Sequence, residues 1–144
     1  MAIFKAFRAV RPVNEHAKDV AALPYDVMNS EEAREMVKGK PYSFLHVDKA
    51  EVDLPEGTDI YSEEVYLKAK ENMEKLVTEG ICKQDTKPCF YIYKQIMNGQ
   101  SQTGLVGCAS IDDYMNNIIK KHEFTRADKE ADRIRHVDYC DANT

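Results

Sequence analysis

The dipeptide Asn98-Gly99 constrains the fold of this chain more than any other sequence feature, because two runs rich in β-branched and aromatic residues flank it. An Asn-Gly pair readily adopts the positive φ angles that a tight hairpin turn requires. The flanking pattern predicts an antiparallel hairpin with strands at residues 89–97 and 102–111. Gly104 and Gly107 on the returning strand indicate a bulge or a close approach by another backbone or a ligand.

A long amphipathic helix is predicted for residues 61–79, where apolar residues recur at helical spacing before Gly80. The shorter predicted elements are strands at 2–10 and 42–47 and helices at 30–38, 112–119 and 126–135. We therefore expect an α+β fold in which a mixed sheet with a β-hairpin packs against helices. The length of 144 residues fits a single α/β domain covering residues 1–144.

Composition narrows the class of protein further. The chain has 43% hydrophobic residues, a formal net charge of −5 and no apolar run long enough for a membrane span or a signal core. These features predict a cytoplasmic protein without a membrane partner. DNA is not an expected partner either, since binding its phosphate backbone normally uses clustered Lys and Arg. The four cysteines are widely spaced and form no C-x-x-C pair, so we expect free thiols and no metal.

Residues 118–136 depart from the acidic average, with six Lys or Arg against four Asp or Glu. Lys121, His122 and Thr125 precede the predicted helix 126–135, whose N-terminal N–H groups suit a phosphate. Lys129 and Arg133 follow one helical turn apart, so both can point at the same anion. The alternative is a solvated helix whose cations are neutralised by neighbouring carboxylates, namely Glu123, Asp128, Glu130 and Asp132.

Two carboxylates are candidates for catalysis. Asp26 lies in the segment LPYDV just before a helix, where it can deprotonate a hydroxyl, contact magnesium or simply cap a turn. Glu123 lies within the basic segment described above. A third polar residue, His46, is expected at the end of a strand beside Asp48, which can orient its ring.

Two long segments resemble the N-terminal part of the bacterial domain of unknown function 1015 family: LPYDVMNSEEAREMVKGKPYSFLHVDKAEVDLP and GLVGCASIDDYMNNIIKKHEFTRADKEADRIRHVDYCDANT. Members of that family are longer, and the chain ends without a helix stop. Both observations predict an N-terminal fragment whose partner is the C-terminal remainder of its own chain. The family is in turn distantly similar to the ParB/sulfiredoxin superfamily, which includes kinases of free serine. Ala109-Ser110 follows Gly107-Cys108 where sulfiredoxins have His-Arg, so peroxiredoxin repair is not expected.

The resemblance implies a domain that binds a nucleotide or a phosphorylated metabolite, with phosphate transfer to a small hydroxyl compound such as serine as the reaction. ATP or ADP with magnesium would be the cofactor of such a kinase. Two alternatives stay open. One is a ParB-like module that binds nucleotides or nucleic acid, and the other is a structural domain that is inactive without the missing C-terminal part.

Overall fold

A computed structural model of the chain describes residues 1–121 and 126–144. The fold combines α-helices with small antiparallel sheets, as the α+β class predicts. Its strands are β1 (Phe4–Lys5), β2 (Val10–Pro12), β3 (Cys82–Gln84), β4 (Tyr91–Met97), β5 (Gln100–Val106) and β6 (Cys108–Ala109). Its helices are α1 (Ala17–Val20), α2 (Ser30–Val37), α3 (Leu45–Asp48), α4 (Glu63–Thr78), α5 (Ile111–Met115) and α6 (Ala127–Cys140). Short 3₁₀ segments are Asn14–His16, Tyr25–Val27 and Ala50–Asp53.

The described residues divide into two compact units. Unit 1 contains residues 1–11 and 84–121, and unit 2 contains residues 12–83 and 126–144. The predicted single mixed sheet is wrong, because the described strands form three separate two-stranded sheets.

The hairpin of unit 1 confirms the strongest sequence prediction. β4 and β5 pair antiparallel from Tyr91↔Val106 to Met97↔Gln100. Asn98 and Gly99 have φ angles of 51° and 77°, the left-handed conformations that a tight turn needs.

A second strand pair in unit 1 joins β1 to β6, with Phe4 opposite Ala109. A Cβ on Gly107 would lie 2.6 Å from the Phe4 ring and 3.0 Å from the backbone carbonyl oxygen of Lys5, which confirms the close approach of another backbone predicted there. At Gly104 the nearest atom would be 3.9 Å away, so that position has ordinary space. The predicted strand 2–10 is thus two short strands, β1 and β2, with an isolated bridge from Phe7 to Cys89 between them.

The core of unit 2 forms around α4, which contacts α6, α3 and the 3₁₀ segment Ala50–Asp53. Its buried face includes Val65, Ala69 and Leu76, as the helical spacing predicts. Helix α2 begins with a capping box, in which each of Asn29 and Glu32 accepts a 2.9 Å side-chain hydrogen bond from the backbone N–H of the other.

The strand predicted at 42–47 is wrong, because residues from Leu45 to Asp48 form helix α3. The aromatic and β-branched residues that suggested a strand instead form hydrogen bonds between nearby backbone groups. One of them joins the Val47 N–H to the Phe44 carbonyl oxygen at 2.9 Å. Leu45 and Val47 are both fully buried in this turn. A short apolar run fits either conformation until tertiary packing selects one.

Candidate functional site

The polar side of helix α6 faces the interior of unit 2. Lys129, Asp132, Arg133 and His136 recur at the i, i+3, i+4, i+7 spacing of one helical face. His136 is only 3% exposed, whereas Ile134 on the same helix is 56% exposed. Burying polar groups costs free energy unless they are paired, so the inward polar face requires partners.

The partners surround a cleft within unit 2, which we call the α6 cleft. Its lining consists of Tyr25, Val47, Asp48, Lys49, Ala50, Glu51, Ile60, Tyr61, Val65, Tyr66, Lys129, Asp132, Arg133 and His136. The segment around α3 and the following 3₁₀ turn supplies one wall, α4 and the residues before it a second, and α6 a third.

Arg133 is the central cation of the α6 cleft. Its guanidinium carbon lies 4.4 Å from the centre of the Tyr25 ring, a distance typical of cation–π contacts. Its NH2 nitrogen is 3.2 Å from Asp132, and its NH1 nitrogen is 3.9 Å from Asp48. The contact with the Tyr25 ring helps to hold the guanidinium in place, while the long contact with Asp48 is at the limit of an ion pair.

Asp132 also accepts a hydrogen bond of 2.8 Å from the Tyr66 hydroxyl. Burial and this bond to a carboxylate together raise the pKa of Tyr66 to about 12. The phenol therefore keeps its proton at neutral pH and acts as a fixed donor to Asp132.

Lys49 and Glu51 form the other charged pair of the cleft, with 3.0 Å between Nζ and Oε1. Ser30 also donates to Glu51, at 2.8 Å. Arg34 of α2 holds the same turn in place by donating to the backbone carbonyls of Glu51, Val52 and Leu54. The wall opposite α6 is therefore rigidly braced.

The charges of the lining balance, with three cations against three carboxylates: Lys49, Lys129 and Arg133 face Asp48, Glu51 and Asp132. The cavity volume is about 60 Å³, which is room for a few water molecules. A larger ligand must therefore displace some of these side chains, and the pair with the longest contact is Arg133 and Asp48, at 3.9 Å.

His136 is buried beside this lining. Its Nε2 lies 3.0 Å from the carbonyl oxygen of Val47. Its Nδ1 is buried and has no hydrogen-bond partner among the described residues.

A family model described as "Protein of unknown function (DUF1015)" matches residues 4–144. The chain belongs to the DUF1015 family. No curated protein and no solved structure gives a significant match to it. Among the described helices of this DUF1015 chain, none is long and apolar enough to cross a membrane.

The structure brings together two of the predicted phosphate ligands, since Lys129 and Arg133 both line the α6 cleft. Lys121 belongs to unit 1, where its Nζ lies 4.7 Å from the centre of the Tyr114 ring. Asp26 is exposed in the 3₁₀ segment Tyr25–Val27 and is not part of the cleft lining. The other three candidates, His122, Glu123 and Thr125, lie outside the described residues.

Sequence reasoning missed six of the site residues described above, namely Tyr25, Asp48, Lys49, Glu51, Tyr66 and His136. His136 carried a readable signal, because it continues the polar spacing of Lys129 and Arg133 by one more turn. Asp48 and Lys49 had none, since their segment was predicted as a strand end.

The DUF1015 chain has a second polar cavity, lined by Pro41, Ser43, His46, Asp53, Lys68, Asn72, Lys75 and Leu76. The carboxylate beside His46 is Asp53, whose two oxygens both lie 2.9 Å from Nδ1, and not the expected Asp48. The other ring nitrogen, Nε2, lies 3.2 Å from the Lys40 carbonyl. Both ring nitrogens thus face acceptors, which leaves none free to serve as a base for Ser43.

Across residues 1–121 and 126–144, the four cysteines are free thiols. The same described ranges contain no group of three or more His, Cys, Asp or Glu residues that could hold a metal ion.

Proposed function

We propose that this protein binds a nucleotide or a phosphorylated metabolite in the α6 cleft, with Lys129 and Arg133 as phosphate ligands. The observation that carries the proposal is the inverted orientation of α6. A helix that only stabilised the fold would bury Ile134 and Val137, but both are exposed while charged residues face inward.

The partial burial of Arg133 and its side-chain contacts favour phosphate as the ligand. Its side chain is 30% exposed, so it has already lost much of its hydration. Its contacts with Tyr25 and Asp132 leave a planar fork whose donors match the oxygens of a phosphate. A phosphate that displaced the 3.9 Å contact with Asp48 would exchange a weak ion pair for a short charged hydrogen bond.

The reaction we propose for this ligand is phosphoryl transfer to a small hydroxyl compound such as serine, in a fold related to the ParB/sulfiredoxin superfamily. Phosphoryl transfer requires cations around the phosphate and a carboxylate near the acceptor or its magnesium. The cleft combines both kinds of group, and magnesium that arrives with ATP or ADP needs only one or two protein carboxylates. Asp48 and Asp132 lie in the lining, so they suit this role better than the exposed Asp26.

The test is a pair of charge-matched variants titrated with inorganic phosphate and with ATP. Arg133→Ala should weaken binding by about 1.5–3 kcal/mol, the range for a hydrogen bond to a charged group, which is roughly 10- to 150-fold in Kd. Arg126→Ala removes the same charge from an exposed site at the start of α6, where Arg126 pairs with Asp128 at 2.7 Å. It should change Kd little.

Amide chemical shifts locate the ligand in the same titration. Signals from residues 47–51 and 129–136 should move. If phosphate and ATP leave them unmoved, the charged face of α6 is structural and the proposal is wrong. Tight binding of duplex DNA that weakens steeply with salt would instead favour a ParB-like nucleic-acid module.

A further inference from the structure

His136 occupies the end of the inward polar face of α6, one turn beyond Arg133. It is 3% exposed and lines the α6 cleft. A buried histidine on a helix face normally has both ring nitrogens paired, because an unpaired buried polar atom is costly. His136 has only one paired nitrogen among the described residues.

The paired nitrogen fixes the protonation pattern of the ring. Nε2 lies 3.0 Å from the Val47 carbonyl oxygen, which can only accept a hydrogen bond. Nε2 must therefore carry the hydrogen. In the neutral imidazole, Nδ1 then holds the lone pair and acts as an acceptor.

No described residue donates to Nδ1, so a ligand in the cleft that His136 lines can supply this donor. A phosphate dianion carries no donor, so the donor belongs to the remainder of the ligand. An ammonium group would have to lose its hydration to reach a buried neutral ring, and Asp48 and Asp132 offer it better partners in the same lining. A hydroxyl is a neutral donor and suits a buried neutral acceptor.

We infer that His136 Nδ1 accepts a hydrogen bond from a hydroxyl group of the ligand, so that the α6 cleft selects phosphorylated compounds that carry a free hydroxyl. This inference rests on the phosphate binding proposed above. It adds a second recognition point, placed one helical turn from the phosphate ligand Arg133.

Two probes separate the hydroxyl from the phosphate. Glycerol 3-phosphate and propyl phosphate share a phosphate and a three-carbon chain, but only the first has hydroxyls. The unaltered protein should bind glycerol 3-phosphate about 2- to 12-fold more tightly, the effect of one neutral hydrogen bond. In His136→Phe a ring of similar shape remains, but the acceptor at Nδ1 is gone, together with the donor to the Val47 carbonyl. The two Kd values should then become equal.

A spectroscopic measurement on the unaltered protein keeps the inference testable if the variant does not fold. The ¹⁵N signal of His136 Nδ1 should start at the shift of an unprotonated ring nitrogen. It should move on addition of glycerol 3-phosphate and stay in place with propyl phosphate.

The outcomes distinguish the hydroxyl contact of His136 from the phosphate binding on which it rests. Equal binding of both probes to the unaltered protein would overturn the role of His136 and leave the phosphate site standing. A preference for glycerol 3-phosphate that persists in folded His136→Phe would also overturn it. If neither probe nor inorganic phosphate binds, the proposed function itself is wrong and the inference fails with it.

Discussion

His46 shows how one residue can be fixed by two acceptors. The hydrogen bond with Asp53 raises the pKa of His46, and burial opposes it only in part. Burial alone would raise the pKa of Asp53, but hydrogen bonds from His46 and Asn72 outweigh it and lower that pKa. The pair is therefore charged in the folded protein over a wider pH range than in the unfolded chain.

This coupling predicts a pH-dependent loss of stability in Asp53→Asn. The raised pKa of His46 gives stability that is complete below about pH 6.5 and is lost as the pH rises through the folded value. The lowered pKa of Asp53 gives stability that is complete above about pH 4 and is lost as the pH falls. Asp53→Asn should therefore cost about 1–2 kcal/mol at pH 5.5, since the pair is partly exposed, and clearly less at pH 9.

Urea unfolding at the two pH values measures the effect. Asp19→Asn provides the control, because His16 and Asp19 form a comparable but exposed pair at 3.2 Å. This control should change stability little at either pH. An Asp53→Asn penalty that is equal at both pH values would contradict the predicted coupling.

The sequence could indicate that His46 has a carboxylate partner but not which one. Asp48 is two residues away, and in a strand it would share a sheet face with His46. In helix α3 the chain turns instead, and Asp53 reaches the ring from the following 3₁₀ segment. Choosing between these carboxylates required the local conformation, which a short apolar run does not determine.

At the scale of elements, the predictions of secondary structure succeeded where neighbouring residues determine the backbone conformation. Asn98-Gly99 determined the hairpin, and the helix predicted at 30–38 is observed as α2, whose start Asn29 and Glu32 cap. The sequence left the direction of the charged face of α6 open between a ligand and solvent. In the structure Lys129 and Arg133 line the α6 cleft, while Ile134 on the other side is exposed.

The hairpin turn gives an element-scale prediction with a matched control. Gly99→Ala places a side chain at φ 77°, which costs about 1–2 kcal/mol in the left-handed region. Gly104→Ala adds the same methyl group to β5 of the same hairpin, where its nearest neighbour is the Tyr93 carbonyl oxygen at 3.9 Å. Only the first variant should open the hairpin more often.

Hydrogen exchange of the cross-strand amides of β4 and β5 reports this opening. The rates should increase about 5- to 30-fold in Gly99→Ala and remain close to the original values in Gly104→Ala. Similar acceleration in both variants would contradict the prediction that the positive φ angle of residue 99 is what opens the hairpin.

At the scale of the whole molecule, the two units differ in what they bury. Every buried apolar residue in the described part of the chain belongs to unit 2, from Val20 to Cys82. Unit 1 buries the polar residue Asp113, which accepts a 2.6 Å hydrogen bond from the Ile3 amide. Hydrophobic burial dominates folding free energy, so unit 2 should be the more stable part.

The cysteines can test this difference, since each unit contains two. Cys89 and Cys108 of unit 1 are exposed, whereas Cys82 of unit 2 is buried and burial raises its pKa. Burial, with a further contribution from Asp48, also raises the pKa of the half-buried Cys140. The thiolate is the reactive form, so Cys89 and Cys108 should be alkylated first and Cys82 last.

Mass spectrometry of peptides after timed alkylation gives the four rates separately. The rate for Cys82 should approach the others only at urea concentrations that unfold unit 2. Early labelling of Cys82 in native conditions would mean that the core of unit 2 opens readily.

The exposure of the hairpin also determines how copies of this molecule behave towards one another. β4 and β5 pair only with each other in the described structure, so the outer backbone edge of each strand carries unpaired N–H and C=O groups. Ile92, Ile96 and Leu105 are more than half exposed along the same ribbon. An open strand edge flanked by apolar side chains is a template for strand addition between molecules. Concentrated solutions of this chain should therefore form intermolecular β-structure starting at the hairpin, and charged substitutions at these three positions should keep it dispersed.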